Sequence, residues 1–394
     1  MFGSRQQVAV VGVGHSRAFR RAEVPLGVLA AEAVRQAVAD AGLVLADIDG
    51  LSTTPHQPAE GIDPVDGITV VSPEFMARAL GLSVAWSERQ LRPIGASLIN
   101  TVHAVAAGQC RYAVCFRGLH NPADRRYGHR SPTTVSGPGR YTDPYGAFAP
   151  GVFALLATEH MDRYGSTREQ LGQFVVRNRR QALLWEHGYW AQQGAEPLTM
   201  EDYLGARMIS TPLGLHDCDL PIQVAAAFVI TTAERAVDLR QPPAYVLGSS
   251  SPFTVAMFDQ RGSQGGFSAL DDYIEHGQQT ARFLWRNTGI GPADVDIANL
   301  YDGFSIETPL WAESLGLCEV GSGFEFVAKP TIPLNTSSGN LGSGRSHGIS
   351  HLMDSVLQIQ GRAGLRQIAD VEIALAATNQ TPAGQAIVFS KSPG

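Results

Sequence analysis

Cysteine is scarce and scattered. Of 394 residues only Cys110, Cys115, Cys218 and Cys318 carry thiols, and no two form a CxxC pair. That excludes a zinc ribbon within this chain and a disulfide-stapled scaffold. Reduced thiols in a cytoplasmic setting are the expectation. Charge is thin as well: Asp, Glu, Lys and Arg make up 17%, with a formal net charge of −7. The basic pairs Arg20–Arg21, Arg125–Arg126 and Arg179–Arg180 are too short for the clustered face that nucleic acid needs. They read as solvated surface. No apolar run reaches the ~20 residues of a membrane span. The N-terminal MFGSRQQVAVVGVG has no charged, apolar and small-residue succession of a leader; it reads as the start of a strand. His347 and His351 stand four apart, but no third ligand and no HExxH context accompanies them, so no metal is expected.

Glycine is plentiful instead. Its 42 copies exceed the usual share of about 7%, so tight turns and close backbone approaches should be common. Hydrophobic residues at 44% suffice for a large core. The length suggests two or three domains, or two halves fused tightly. Val8–Val11 reads as a strand, and Leu26–Ala41 as a helix stopped by Gly42. Ala113–Phe116 and Ala225–Ile230 read as buried strands, Phe153–Tyr164 and Thr167–Trp185 as helices. Between them, residues 120–150 are rich in Pro, Gly, Tyr and Arg, the mark of a functional excursion. A polar hinge at 238–244 then leads into a strand at Tyr245–Leu247.

After the hinge the pattern restarts. AGLVLADIDG at 41–50 matches TGIGPADVDI at 288–297. Gly42 and Gly289, Asp47 and Asp294, and Asp49 and Asp296 share one offset (289 − 42 = 294 − 47 = 296 − 49 = 247). The shared register points to an internal duplication. Strands alternating with helices in both halves imply mostly parallel pairing under helical cover. The expected division is an N-terminal half over 1–240, with a loop and cap excursion at about 120–215, and a C-terminal half over 241–394. Gly12-Val-Gly14 resembles a dinucleotide fingerprint, but Arg17 holds the third glycine's place and no acidic residue ends a second strand. It reads as a tight turn.

Three segments carry chemistry. They are Pro93-Ile-Gly95-Ala96-Ser97-Leu98 before a helix at Asn100–Gly108, then Leu300-Tyr301-Asp302-Gly303-Phe304 before another. The third runs from Pro333 through Ser338-Gly339 and Gly344-Arg345-Ser346-His347-Gly348 into a helix at Ile349–Gln360. In this order, with ISTPLGLHDCDLP at 209–221 and QIQGRAGLRQ at 358–367, they resemble the thiolase superfamily in its sterol-carrier-protein-x branch. The match is closest to the thiolase-like, steroid side-chain-cleaving acyl-CoA aldolases. The resemblance implies a duplicated α/β thiolase fold with five αβαβα layers and two similar halves. It also implies a homodimer, coenzyme A thioester substrates, and a site where the halves meet.

The chain departs from that pattern where thiolases do their chemistry. Their nucleophilic cysteine falls at Gly95, and their activating histidine at Arg345. No acyl-enzyme is expected. What remains is a set of backbone N–H groups at Gly95, Ala96 and Ser97, and at Ser338 and Gly339, suited to a thioester oxyanion. That suits aldol cleavage, which needs a base and an oxyanion hole but no covalent intermediate. Tyr301-Asp302 is similar to the pair in those aldolases, so Tyr301, His347 and Asp302 are the expected catalytic residues. Arg345 stays protonated and cannot be a base; with His120 and Tyr145 it is a candidate substrate or coenzyme A contact. Asn335 reads as a turn former, and His351, Cys110 and Cys115 as structural. The resemblance also implies a hetero-oligomer with a small OB-fold protein whose zinc ribbon would carry any zinc; no cofactor is bound covalently. Loss of both cysteine and histidine would equally suit a non-catalytic subunit scaffolding an acyl-transferring complex.

Overall fold

The computed structural model describes residues 7–55, 63–90, 93–120, 149–252, 269–379 and 384–394. In chain order the strands are β1 Val8–His15, β2 Gly50–Thr53, β3 Trp86–Arg89, β4 Ala113–His120, β5 Met208–Ser210, β6 Leu213–Gly214, β7 Gln223–Thr232, β8 Ala244–Ser250, β9 Ile297–Asn299, β10 Ile373–Thr378 and β11 Gln385–Ser390. Nine of them form one sheet in the order β3-β2-β4-β7-β1-β8-β11-β10-β9, and β5–β6 make a separate ribbon.

The sheet reads the same outward from its centre. From β1 the neighbours are β7 antiparallel, β4 antiparallel and β2 parallel. From β8 they are β11 antiparallel, β10 antiparallel and β9 parallel. The two series meet at β1–β8, antiparallel, through Ala9 opposite Tyr245 and Val10 opposite Ala244. The matched residues do matched work. Gly42 (φ 79°) and Gly289 (φ 74°) both follow helices in the left-handed region that glycine enters without strain. Asp47 accepts from Val44 N at 2.9 Å, and Asp294 from Gly291 N at 2.8 Å. Asp49 accepts the N–H groups of Arg111 and Tyr112 entering β4; Asp296 accepts those of Glu372 and Ile373 entering β10.

The expectation of mostly parallel pairing is corrected. In the nine-stranded sheet only β2–β3, β2–β4 and β9–β10 are parallel, and the other five pairs are antiparallel. Six residues separate β10 from β11, too few for a crossover helix.

Alternation along the strands builds three cores. In β1, Val8 and Val10 enter a middle core while Ala9 and Val11 enter an outer one. In β11, Ile387 and Phe389 enter the middle core while Ala386 and Val388 enter the opposite outer one. The middle core is filled by helices Ile94–Ala106 and Ile349–Ile359. The outer cores are closed by Leu26–Asp40 on one side and by Leu270–Thr288 and Glu307–Leu315 on the other. The two halves of the continuous sheet flank the middle helices, and each carries helices on its outer face, which makes five layers. The outer edge of β9 is covered, since Ala298 N donates to Pro333 O and accepts at its carbonyl from Asn335 N. β3 is terminal, with no strand beyond it among the described residues.

Candidate active site

The N-termini of the two middle-layer helices face the β10–β11 hairpin. The first helix begins at Ile94, earlier than its sequence suggested, so Gly95 lies in its first turn and no side chain caps it. Glycine is required there. A Cβ on Gly95 would overlap Thr378 Oγ1 and lie 3.0 Å from Gln385 Cβ, and Thr378 Oγ1 donates to Gln385 Oε1 at 3.1 Å. The cysteine's place is therefore filled, as well as vacated. A Gly95→Cys variant is expected to lose about 1–3 kcal/mol of stability through overpacking, and to gain no acyl-enzyme. Intact-mass measurement after acyl-CoA incubation tests this; a covalent adduct would refute it.

The donor of Ala96 and the side chain of Ser97 are engaged elsewhere. Ala96 N donates to Pro93 O at 2.9 Å. Ser97 is turned into the sheet, where its hydroxyl meets that of Ser52 and its carbonyl accepts from Thr101. Cys115 lies beside it, and burial pushes that thiol up to about 11, as suits a structural residue. Gly95 remains the uncapped position aimed at the junction.

The Tyr301-Asp302 loop is held by its neighbours. Asn335, in the left-handed region at φ 49°, clasps Leu300 through Oδ1 (2.7 Å) and Nδ2 (2.9 Å). Asp302 is fully buried. It accepts from Asn340 N at 2.6 Å, Leu341 N at 3.3 Å, Asn178 Nδ2 at 3.2 Å and His351 Nε2 at 3.0 Å. Burial raises its carboxyl above the ordinary range, and His351 opposes that rise. These contacts correct the expectation for Ser338 and Gly339. The N–H groups there are occupied: Ser338 N by Asn335 O, Gly339 N by Ser337 Oγ at 3.1 Å. A Cβ on Gly339 would overlap the Asp302 carboxylate itself. This turn receives Asp302 in place of a substrate oxyanion. Asp302, in turn, is enclosed by four protein donors, His351 among them. The His351 ring lies 5.9 Å from that of Tyr301, centroid to centroid.

The remaining candidates arrive from three directions. Asp217 accepts from Tyr203 OH and Ser305 Oγ, both at 2.6 Å. This anchors residues 217–220 beside the loop, where Asp219 N donates to Gly303 O. Arg345 N donates to Leu220 O, and its Nε lies 3.8 Å from Asp219 Oδ2. His347 is half-buried at φ 51°, and its carbonyl accepts from Arg117 Nη1 at 3.4 Å. His120 is placed differently. Alternation along β4 puts it on the face opposite Arg117, bonded to Gln223 at 3.3 Å, so it does not join the group around Tyr301. Tyr145 and most of the 120–150 excursion lie outside the described residues.

Sequence reading missed Arg117, Asp219, Glu307, Thr378 and Gln385. Glu307 is 1% exposed. Its Oε2 accepts from Phe304 N at 2.7 Å and would lie 2.9 Å from a Cβ on Gly303, on the same flank as Tyr301. Burial, then the charges of Asp219 and Asp302, hold its carboxyl well above the ordinary range. The folded state thus binds a proton that the unfolded chain releases above about pH 4.3. Stability from this group is present below that pH and falls as pH rises toward the folded value. Glu307→Gln should flatten this dependence and raise the melting temperature at neutral pH. Parallel pH profiles of melting for both proteins would refute it. Among the described residues no cluster of His, Cys, Asp or Glu could hold a metal ion.

Residues 270–389 match the thiolase C-terminal domain-like family. Over 389 positions the chain is 31% identical to the 17-hydroxy-3-oxo-4-pregnene-20-carboxyl-CoA lyase of Mycobacterium tuberculosis, covering 93% of this chain and 94% of that one. The chain belongs to the thiolase-like aldolases. Among them it is also 28% identical to the steroid side-chain-cleaving aldolase of Thermomonospora curvata, over 92% of both chains. The solved Ltp2-ChsH2(DUF35) aldolase superposes with a TM-score of 0.83 at 27% identity, covering 98% of this chain and 97% of that one. The likeness to a thiolase-like aldolase runs over both halves, with Gly95 and Thr378 in contact where a thiolase would keep its nucleophile.

Proposed function

We propose that this protein cleaves a β-hydroxyacyl-CoA by retro-aldol chemistry, with Tyr301 as the base. Tyr301 is the observation that carries the reading. It is a buried phenol at the junction of the halves, backed by the Asp302–His351 pair, in a chain whose nucleophile position is filled. As phenolate, Tyr301 takes the proton of the substrate's β-hydroxyl. The β-carbon becomes a carbonyl as the Cα–Cβ bond breaks, and the electron pair moves into the thioester enolate. The uncapped N–H at Gly95 holds the enolate oxygen, and protonation at Cα releases the shortened acyl-CoA. His347, beside Arg117, moves protons at the mouth of the site. Arg345, steadied by Asp219, holds a substrate oxygen. The reverse condensation uses the same groups.

The acyl group is bulky and polycyclic in this reading, as the names of the two relatives have it for theirs. The protein would work in the cytoplasm as a homodimer joined through the edge of β3, since an unpaired edge invites a second strand. It would pair with an OB-fold protein carrying a zinc ribbon; the Ltp2 neighbour is solved with ChsH2(DUF35).

A turnover assay tests the reading. The chain, alone and with a co-expressed OB-fold partner, is incubated with β-hydroxyacyl-CoAs, steroidal ones included. Release of a ketone or aldehyde together with the shortened acyl-CoA is the expected result. Acyl-CoA binding without release from any substrate would favour a scaffolding subunit.

A further inference from the structure

Arg117 is a buried charge that no carboxylate among the described residues accompanies. It sits on β4, is 2% exposed, and its parity along the strand aims it into the middle layer, with Ala113 and Cys115. No carboxylate among the described residues pairs with it. Its Nε has no hydrogen-bond partner there, and Nη1 reaches only the His347 carbonyl, at 3.4 Å. Burying a guanidinium without an acidic partner opposes folding, so packing alone gives no account of it.

Its largest charge interaction is with Tyr301, followed by Arg345. Among the described residues, the other charges near Tyr301 are offset or weakened. Arg345 faces the Asp219 carboxylate at 3.8 Å. Asp302 shares a hydrogen bond with His351 behind the ring. Burial raises the Glu307 carboxyl well above the ordinary range, which weakens its charge, and burial pushes the Cys115 thiol up to about 11. Among the described residues, Arg117 is a positive charge near Tyr301 with no carboxylate opposite it.

The geometry points to Arg117 as the positioning residue that holds Tyr301 in its phenolate form. The inference rests on the reading of Tyr301 as the base. A cation beside a phenol favours the phenolate, against the desolvation that opposes it. With Arg345 facing Asp219 at 3.8 Å, Arg117 is the group among the described residues that can supply that field. Burial lowers the Arg117 guanidinium to about 10, so it stays cationic at neutral pH.

Two measurements on the full-length protein test this, with the co-expressed partner where one is needed. In the first, kcat/KM is followed against pH for the parent, Arg117→Met and Arg117→Lys. Arg117→Met should move the acidic limb up by about one pH unit or more, a loss of about tenfold per unit at neutral pH. Activity should return toward the parent's at high pH, and Arg117→Lys should keep a limb nearer the parent's. An equal loss at every pH would overturn the inference and make Arg117 a substrate or enolate contact. In the second, the ultraviolet absorbance of tyrosinate is titrated without substrate. The difference between the parent and Tyr301→Phe isolates this one of the ten tyrosines. Repeating the pair in the Arg117→Met background should move the Tyr301 ionisation upward. An unmoved titration overturns the inference even if no substrate is ever turned over, whereas absent turnover alone counts against the aldolase reading.

Discussion

Tyr301→Phe should lower kcat/KM by about 100- to 10,000-fold, the range a positioned general base contributes, while leaving acyl-CoA binding and the melting temperature close to the parent's. The substitution removes one oxygen and keeps the ring that packs against His351. Loss of turnover with retained thioester binding places the defect in proton transfer. A Phe variant within about threefold of the parent would remove Tyr301 from the base role.

Asp302→Ala should cost about 3–5 kcal/mol of stability, a large share of the ~5–15 kcal/mol that holds a typical fold. Four donors lose their acceptor at once: Asn340 N, Leu341 N, Asn178 Nδ2 and His351 Nε2. Each buried donor left unsatisfied costs about 1–3 kcal/mol. Asp302→Asn keeps one acceptor oxygen and should lose less. Chemical denaturation measures both. An Ala variant unfolding at the parent's midpoint would mean that the carboxylate does not hold the turn at Gly339.

Much of this was legible in the residues. The offset of 247 between Asp49 and Asp296 named two positions that cap equivalent strand entries. Glycine and aspartate at such places answer to local backbone geometry, which a sequence records directly. Tyr301 and Asp302 were legible through a motif next to a strand end. The direction of Ser97 was not, because successive residues of a helix's first turn point to different neighbours, and only the packing of Ser52 decides which. Ser338 and Gly339 were read as donors open to a thioester, whereas both N–H groups are filled within the protein. Their N–H groups are taken by Asn335 and Ser337, and the carboxylate that the turn receives, Asp302, lies 36 positions upstream of Ser338 (338 − 302). Arg117 and Glu307 carried no spacing signal at all. Each is a single charge in an apolar stretch, and its meaning comes from partners in the other half or across a loop.

The middle core also bears on how the molecule can be made. Its residues come from both halves: Val10, Leu98 and Phe228 from the first, Leu352, Ala376 and Phe389 from the second. A ribosome finishes the first set well before the second exists. Until the last strand arrives, the inner face of the early sheet has nothing to lie against, and Arg117 stays wet. Two polypeptides split at the hinge should therefore be insoluble when produced separately and recover solubility when produced together. The enzyme's pocket would then be a product of assembly, present in neither piece.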